Sequence, residues 1–228
     1  MKLLMPCSKV SLLNKKKVIM KGTKASFVGS RPIFTGSPTI VPGGFNLDKA
    51  SQNFRVGDVI PAGTLAIYDE QKRTVKVVKT AKVLSVKGTT VTLYVDEFYE
   101  PIFCEGDRVA KAGAISGTWA SAVTITKVVK TPNSCEITLS AAISGLAADN
   151  IIQEVVKSGD NAAEIGTANA VLITDTDVRQ DESQVDVCDH TLNYRMFERR
   201  VPPIPASQKS ADGRALKGNA NVLLTQSH

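Results

Sequence analysis

Hydrophobic and polar positions alternate along much of this chain with a period of two. From Thr90 to Val95 the pattern is clean: Val91, Leu93 and Val95 fall on one face, and Thr90, Thr92 and Tyr94 on the other. That is the signature of a half-buried strand. Thr64 to Tyr68 reads as a short strand, and Thr74 to Val86 as a β-branched run carrying several lysines. Val75 and Val77 share a face there, but Val78 breaks the alternation, which predicts a bulge at Val78. Further strands are predicted at Ile151 to Val156, Ala170 to Thr174 and Val185 to Cys188. Turn chemistry sits between them: Gly57-Asp58, Pro61-Ala62-Gly63, Asp69 to Lys72 and Lys87-Gly88. No stretch shows a capped helical period, so the predicted class is all-β, with small barrel- or sandwich-like units.

The pattern then recurs. Gly57-Asp58 is echoed by Gly106-Asp107, and Ala62-Gly63 by Ala112-Gly113. Lys76-Val77-Val78-Lys79-Thr80 recurs identically as Lys127-Val128-Val129-Lys130-Thr131, and Thr92-Leu93 is echoed by Thr138-Leu139. The order is the same in both, which predicts two copies of one β unit, at 56–96 and 105–141. Two copies form a duplicated domain rather than a solenoid. Superposing the copies should place Val77 and Val128 in equivalent strands. Around this duplicated domain, 56–141, residues 1–55 read as an extended N-terminal arm punctuated by Gly and Pro. Residues 142–198 supply further strands that complete the body. Residues 199–228 read as a Pro-rich connector and tail, in which Pro202, Pro203 and Pro205 exclude helix.

Composition narrows the class. The chain has 228 residues, 43% hydrophobic and 22% charged, which is enough to bury a core. Aromatics are only 5%, which favours thin β layers. The formal charge of +6 is spread along the chain, so it permits an anionic partner without specifying nucleic acid. The four cysteines, Cys7, Cys104, Cys135 and Cys188, form no Cys-x-x-Cys pair and read as free thiols of a reducing compartment. The opening Met-Lys-Leu-Leu-Met-Pro-Cys is too short and too soon interrupted by Pro6 for a secretory signal. No later run is long and apolar enough to span a bilayer.

Catalysis needs a constellation of groups. The two histidines are His190 and His228, and no Gly-x-Ser-x-Gly elbow supplies a nucleophile. His190 reads as a polar turn residue. Cys188, Asp189 and His190 are consecutive, so in an extended chain they point to alternate faces and do not chelate together. Asp175, Asp177, Asp181 and Glu182 lack the EF-hand spacing and read as a solvated acidic loop. Phosphate-binding glycine loops are absent. The lysines of the two Lys-Val-Val-Lys-Thr runs interleave with valine, not aromatics, so they read as the wet face or guarded edge of a strand. The expectation is a protein with no catalytic, cofactor or metal residues and no hydrolase or transferase activity.

Several stretches resemble a known family. They are Gly43-Gly44-Phe45-Asn46-Leu47, Val56 to Leu65, the first Val-Lys-Val-Val-Lys-Thr run and Gly106 to Gly113, followed by Asn169 to Asp175 and Arg199 to Pro205. Together, over about residues 43–205, they resemble head-fibre and capsid-decoration proteins of tailed bacteriophages, of the crAss-like type that infects Bacteroides. The resemblance implies a non-enzymatic virion protein, made in the host cytoplasm and attached to the outside of the capsid. Its implied partners are the major capsid protein or other virion subunits, and further copies of itself, a trimer before other sizes. Nucleic acid and membrane are not implied partners. The rival readings are a tail or neck adaptor of the same virion, and a β-clip binding domain built on Val59-Ile60-Pro61-Ala62-Gly63-Thr64. Of the segments available for attachment, the arm is favoured, through Lys15–Lys17, Val18-Ile19-Met20 and Thr39-Ile40-Val41. The tail, through Pro202 to Pro205 and Val222-Leu223-Leu224, is the competing choice.

Overall fold

A computed structural model of the chain describes residues 32–41, 44–181, 183–188 and 195–227. The described chain is all-β. Its strands are β1 (Phe45–Leu47), β2 (Val59–Ile60), β3 (Leu65–Asp69), β4 (Thr74–Val77), β5 (Thr80–Lys87) and β6 (Thr90–Leu93). They continue with β7 (Arg108–Lys111), β8 (Val123–Thr131), β9 (Ser134–Leu139), β10 (Ile151–Ser158), β11 (Asn161–Glu164) and β12 (Ala170–Leu172). The last are β13 (Thr176–Asp177), β14 (Gln184–Val185), β15 (Val187–Cys188), β16 (Arg195–Phe197) and β17 (Leu223–Thr225). Three single 3₁₀ turns, Trp119–Ser121, Glu198–Arg200 and Ala206–Gln208, are the helical content of the described residues.

One sheet has the order β14-β1-β4-β3-β12-β15. Its two edge strands, β14 and β15, are separated by Asp186 alone. One stretch of chain therefore pairs with β1 on one side and β12 on the other, and the sheet curls shut around a core. That core holds Phe45, Ile60, Val75, Val77, Leu172, Val185 and Val187, all buried. The second sheet runs β11-β10-β5-β6-β9-β8-β7, and β7 pairs back onto β10. Six antiparallel strands are thus hydrogen-bonded in a ring. The ring encloses Val83, Val91, Leu93, Phe103, Val109, Ile125, Ile137 and Ile152. Closure of this kind removes the exposed edges that would otherwise recruit foreign strands. The alternation read at Thr90–Leu93 holds, with Val91 and Leu93 fully buried.

The break in alternation at Val78 is not a bulge. β4 belongs to the first barrel and β5 to the second, and Val78 and Lys79 carry the chain between them. The Val78 amide donates to Leu65 O in the first barrel (2.8 Å), and Lys79 O accepts from the Glu154 amide in the second (3.0 Å). The register shifts instead lie between Val83 and Ser85 in β5 and between Ile125 and Lys127 in β8.

The arm and tail also need correction. Residues 1–31, with Lys15–Lys17 and Val18-Ile19-Met20, lie outside the described residues. From Ile33 onward the expected arm is part of the body. Ile33 and Phe34 are buried, Val41, Phe45 and Leu47 enter the first barrel's core, and β1 is one of its walls. The expected tail is no looser. Val201, Ile204, Leu216, Val222 and Leu224 pack with Phe34 and Met196 in a third cluster, against Leu65, Val78 and Val171. β16 and β17 pair in parallel, and Thr80 Oγ donates to Pro203 O at 2.8 Å. The arm and tail segments failed as predictions because short apolar stretches between prolines carry no periodicity, so their burial is settled by distant partners.

The repeat holds in its turns but not strand for strand. Val77 ends β4 and pairs with Ala66 in the first barrel, whereas Val128 lies mid-β8 opposite Ile137 in the second. These strands are not equivalent.

Candidate functional site

The recurring residues meet where the two barrels join. Each Gly-Asp is the end of the same tight turn: Asp58 N donates to Arg55 O (3.0 Å) and Asp107 N to Cys104 O (3.2 Å). Gly57 and Gly106 take φ of 88° and 91°, a left-handed backbone that glycine adopts without strain. The turns leave Asp58 and Asp107 pointing inward, and the two pentapeptides answer them crosswise. Lys79, from the first Lys-Val-Val-Lys-Thr, pairs with Asp107 of the second Gly-Asp at 2.8 Å. Lys130, from the second, pairs with Asp58 of the first at 2.9 Å. The sequence repeat is therefore realised as two reciprocal ion pairs across the junction. Reading all these lysines as a wet strand face was correct for exposed Lys127 and half-exposed Lys76, but not for Lys79 and Lys130.

The Lys79 cluster is sealed. Both Lys79 and Asp107 have 0% side-chain exposure. Lys79 Nζ also donates to Asn53 O, stands 3.7 Å from Glu154 Oε1 on β10, and lies 4.8 Å above the Phe54 ring. Asp107 Oδ1 accepts from Asn53 Nδ2 (3.2 Å) and Oδ2 from the Cys104 amide (2.8 Å). Glu154 Oε2 accepts from Gln52 Nε2 (2.6 Å), whose amide is itself held by both backbone groups of Val77. One lysine between two carboxylates leaves an excess of carboxylates over cations in a place shut off from solvent. Burial pushes the Glu154 carboxyl up to about 7, and the neighbouring Asp107 charge adds to the rise, against the pull of Lys79 and the Gln52 hydrogen bond.

The Lys130 cluster copies this arrangement with its third member at the surface. Lys130 is 13% exposed and Asp58 7%, and the third member, Glu100 Oε1, lies 3.8 Å from Lys130 Nζ with 44% exposure. It borders a shallow cleft of about 420 Å³ lined by Arg55, Phe103, Cys104, Glu105 and Val128. Cys104 sits between the two clusters. Burial, ahead of the charges around it, raises its thiol above the usual range, and Sγ contacts Ile102 O at 3.8 Å, so it is not an activated nucleophile. Cys135 is also a free thiol, inside the second barrel, pushed up to about 11 by burial.

The candidates picked from the sequence do not converge on this place. Asp189, His190, Glu182 and His228 lie outside the described residues, and Cys188 contributes the last residue of β15. Asp175 Oδ1 accepts from the Ala62 amide (2.8 Å) and so fastens the Pro61-Ala62-Gly63 turn. Asp177 lies exposed on β13, paired with Val59. Lys49 binds the carbonyls of Arg179 and Asp181 and holds that loop by its backbone. Among the described residues no three His, Cys, Asp or Glu side chains are grouped to hold a metal ion, and no helix is long and apolar enough to cross a membrane. The residues the sequence reading missed are Gln52, Asn53, Glu100 and Glu154. The recurrence of Gly-Asp and Lys-Val-Val-Lys-Thr pointed to the other four, had the copies been paired crosswise. Compared with known proteins, the chain matches no family model, no curated protein and no solved structure.

Proposed function

We propose that this chain is a structural virion protein that attaches to the exterior of a tailed-phage capsid as a head fibre or decoration protein. One observation carries the reading beyond the sequence resemblance. The residues that make the sequence recognisable are fasteners. Asp58, Asp107 and Lys79, together with Lys130 from outside the resembling stretches, tie two barrels together, and Gly63 receives Val201 of the Pro-rich segment at contact distance. A chain whose most distinctive residues bind its own parts together is built to keep a shape. Capsids present many identical sites, so a modest contact per copy becomes firm attachment in an oligomer. The major capsid protein is the partner proposed, with further copies of this chain completing the fibre.

Val222 and Leu224 of the tail, and Val41 of the arm, are core residues, which argues against these apolar stretches as the attaching segments. The test is direct. Purified chain is mixed with heads lacking this protein, and the heads are imaged. Regular density on the outer shell is the expected result. Density at the neck or tail, or no binding at saturating concentration, overturns the proposal.

A further inference from the structure

We propose that Lys79 and Asp107 condense to an intramolecular isopeptide bond, with Glu154 as the proton carrier, so that the two barrels are joined covalently at their junction. The inference goes beyond the virion assignment and does not rest on it.

The reacting groups are already in contact. Lys79 Nζ is 2.8 Å from Asp107 Oδ2, and both side chains are shut off from solvent. Glu154 Oε1 stands 3.7 Å from the same nitrogen, one small side-chain movement from hydrogen-bond contact. The groups are held on rigid supports: Lys79 at the crossing between barrels, Asp107 by the Gly-Asp turn, Glu154 on β10 and clamped by Gln52. A pair so fixed behaves as if each partner were at an enormous local concentration, on the order of 10⁵ M or more. Exclusion of water favours neutral groups over the ion pair and favours condensation, which releases water, over its reverse.

The step balances without any other reactant. The Lys79 ammonium passes one proton to the Asp107 carboxylate, leaving an amine and a carboxylic acid. The amine attacks Asp107 Cγ, and the Nζ–Cγ bond forms. Glu154 removes the second proton from Nζ and delivers it to Oδ2. The Cγ–Oδ2 bond breaks and one water leaves. Oδ1, which accepts from Asn53 Nδ2, remains as the carbonyl of the new amide. A shuttle must both take and give a proton, and burial holds the Glu154 carboxyl at about 7, where it does both. The titratable groups facing Glu154 are Lys79 and Asp107, the two reactants themselves.

The second cluster is a built-in control. Lys130, Asp58 and Glu100 repeat the geometry at 2.9 Å and 3.8 Å, but Glu100 is 44% exposed beside an open cleft. The lysine and aspartate are part-buried there, but the third carboxyl reaches solvent, so no sealed group carries the proton and the pair remains an ion pair.

Peptide mapping of the folded, full-length protein decides the matter. An acylated lysine resists trypsin. The expected product is therefore residues 77–82 joined to residues 88–108, lighter than the two peptides together by one water. Cleavage after Lys130 should be normal. Separate, unmodified peptides from the aged wild-type protein overturn the proposal, and that result does not depend on any variant folding. Glu154→Gln should fold, by circular dichroism, and remain unlinked. A variant linked as fast as wild type overturns the role of Glu154. A link at Lys130 as well would overturn burial as the cause. None of these outcomes depends on whether the chain binds a capsid.

Discussion

Lys79 meets an aspartate at 2.8 Å and a glutamate at 3.7 Å; Lys130 meets an aspartate at 2.9 Å and a glutamate at 3.8 Å. The two lysines stand at the same place in the same five-residue sequence, and their aspartates stand in the same turn. What separates them is the exposure of the glutamate, 7% for Glu154 and 44% for Glu100. The first cluster lies where the two barrels join, with Lys79 over Phe54, and the second borders a cleft with its glutamate at the surface. Coulomb attraction between a pair grows several-fold when solvent is removed, but so does the cost of leaving either charge alone. Near-identical geometry therefore gives a sealed junction in one place and a part-buried clasp in the other.

The sharpest way to break this comparison is to remove each lysine in turn. Lys79→Met leaves Asp107 and Glu154 facing each other without a cation, and should lower unfolding stability by about 3–5 kcal/mol. Lys130→Met leaves part-buried Asp58 without its cation, with only Glu100 at the surface, and should cost about 1–3 kcal/mol. Chemical denaturation of both variants measures the two values. Equal losses would show that the sealed position does not differ from the part-buried one.

The pH dependence should divide the clusters in the same way. The Glu154 carboxyl is held at about 7 in the folded protein, against an ordinary value of 4.5. Between those values the native state holds a proton that the unfolded chain has released. The contribution of Glu154 to stability is thus greatest below pH 4.5 and is lost as pH rises toward 7. For protein in which Lys79 and Asp107 are not linked, this amounts to roughly 3 kcal/mol across that window relative to Glu154→Gln. Denaturation midpoints at several pH values check it, and a difference between the two proteins that stays flat would place Glu154 in a wetter site than described.

A smaller contrast sharpens the repeat itself. Gly63 and Gly113 end matching Ala-Gly turns, with φ of 84° and 76°. A Cβ on Gly63 would sit 2.1 Å from Val201 Cγ1, while one on Gly113 would meet nothing within 4 Å. Gly113→Ala should cost only the left-handed backbone strain, about 1–2 kcal/mol. Gly63→Ala adds an overpacking penalty of about 1–3 kcal/mol, read as a further fall in thermal midpoint.

Strand identity was legible in the sequence because it depends on neighbours two residues apart. Val91 and Leu93 face inward for the reason their spacing gives, and the Gly-Asp and Ala-Gly turns form where glycine permits a positive φ. The recurrence of two turn types and one pentapeptide was also legible. Its meaning was not, because reading it as strand-for-strand duplication placed Val77 and Val128 together, whereas the copies interlock crosswise through Lys79–Asp107 and Lys130–Asp58. Glu154 lies 47 residues beyond Asp107 in the chain, and no local pattern links them.

The sequence alone determined that this chain would be β-rich and where it would turn, since strand periodicity and turn chemistry are properties of a few adjacent residues. Only the tertiary structure decided that both sheets close, that Ile33 and Leu224 belong to one core, and which of two identical lysines is dry. Closure depends on which edges meet, and dryness on what covers a side chain from the far side. Both are set by residues distant in sequence, so the same five letters, Lys-Val-Val-Lys-Thr, acquire two chemistries.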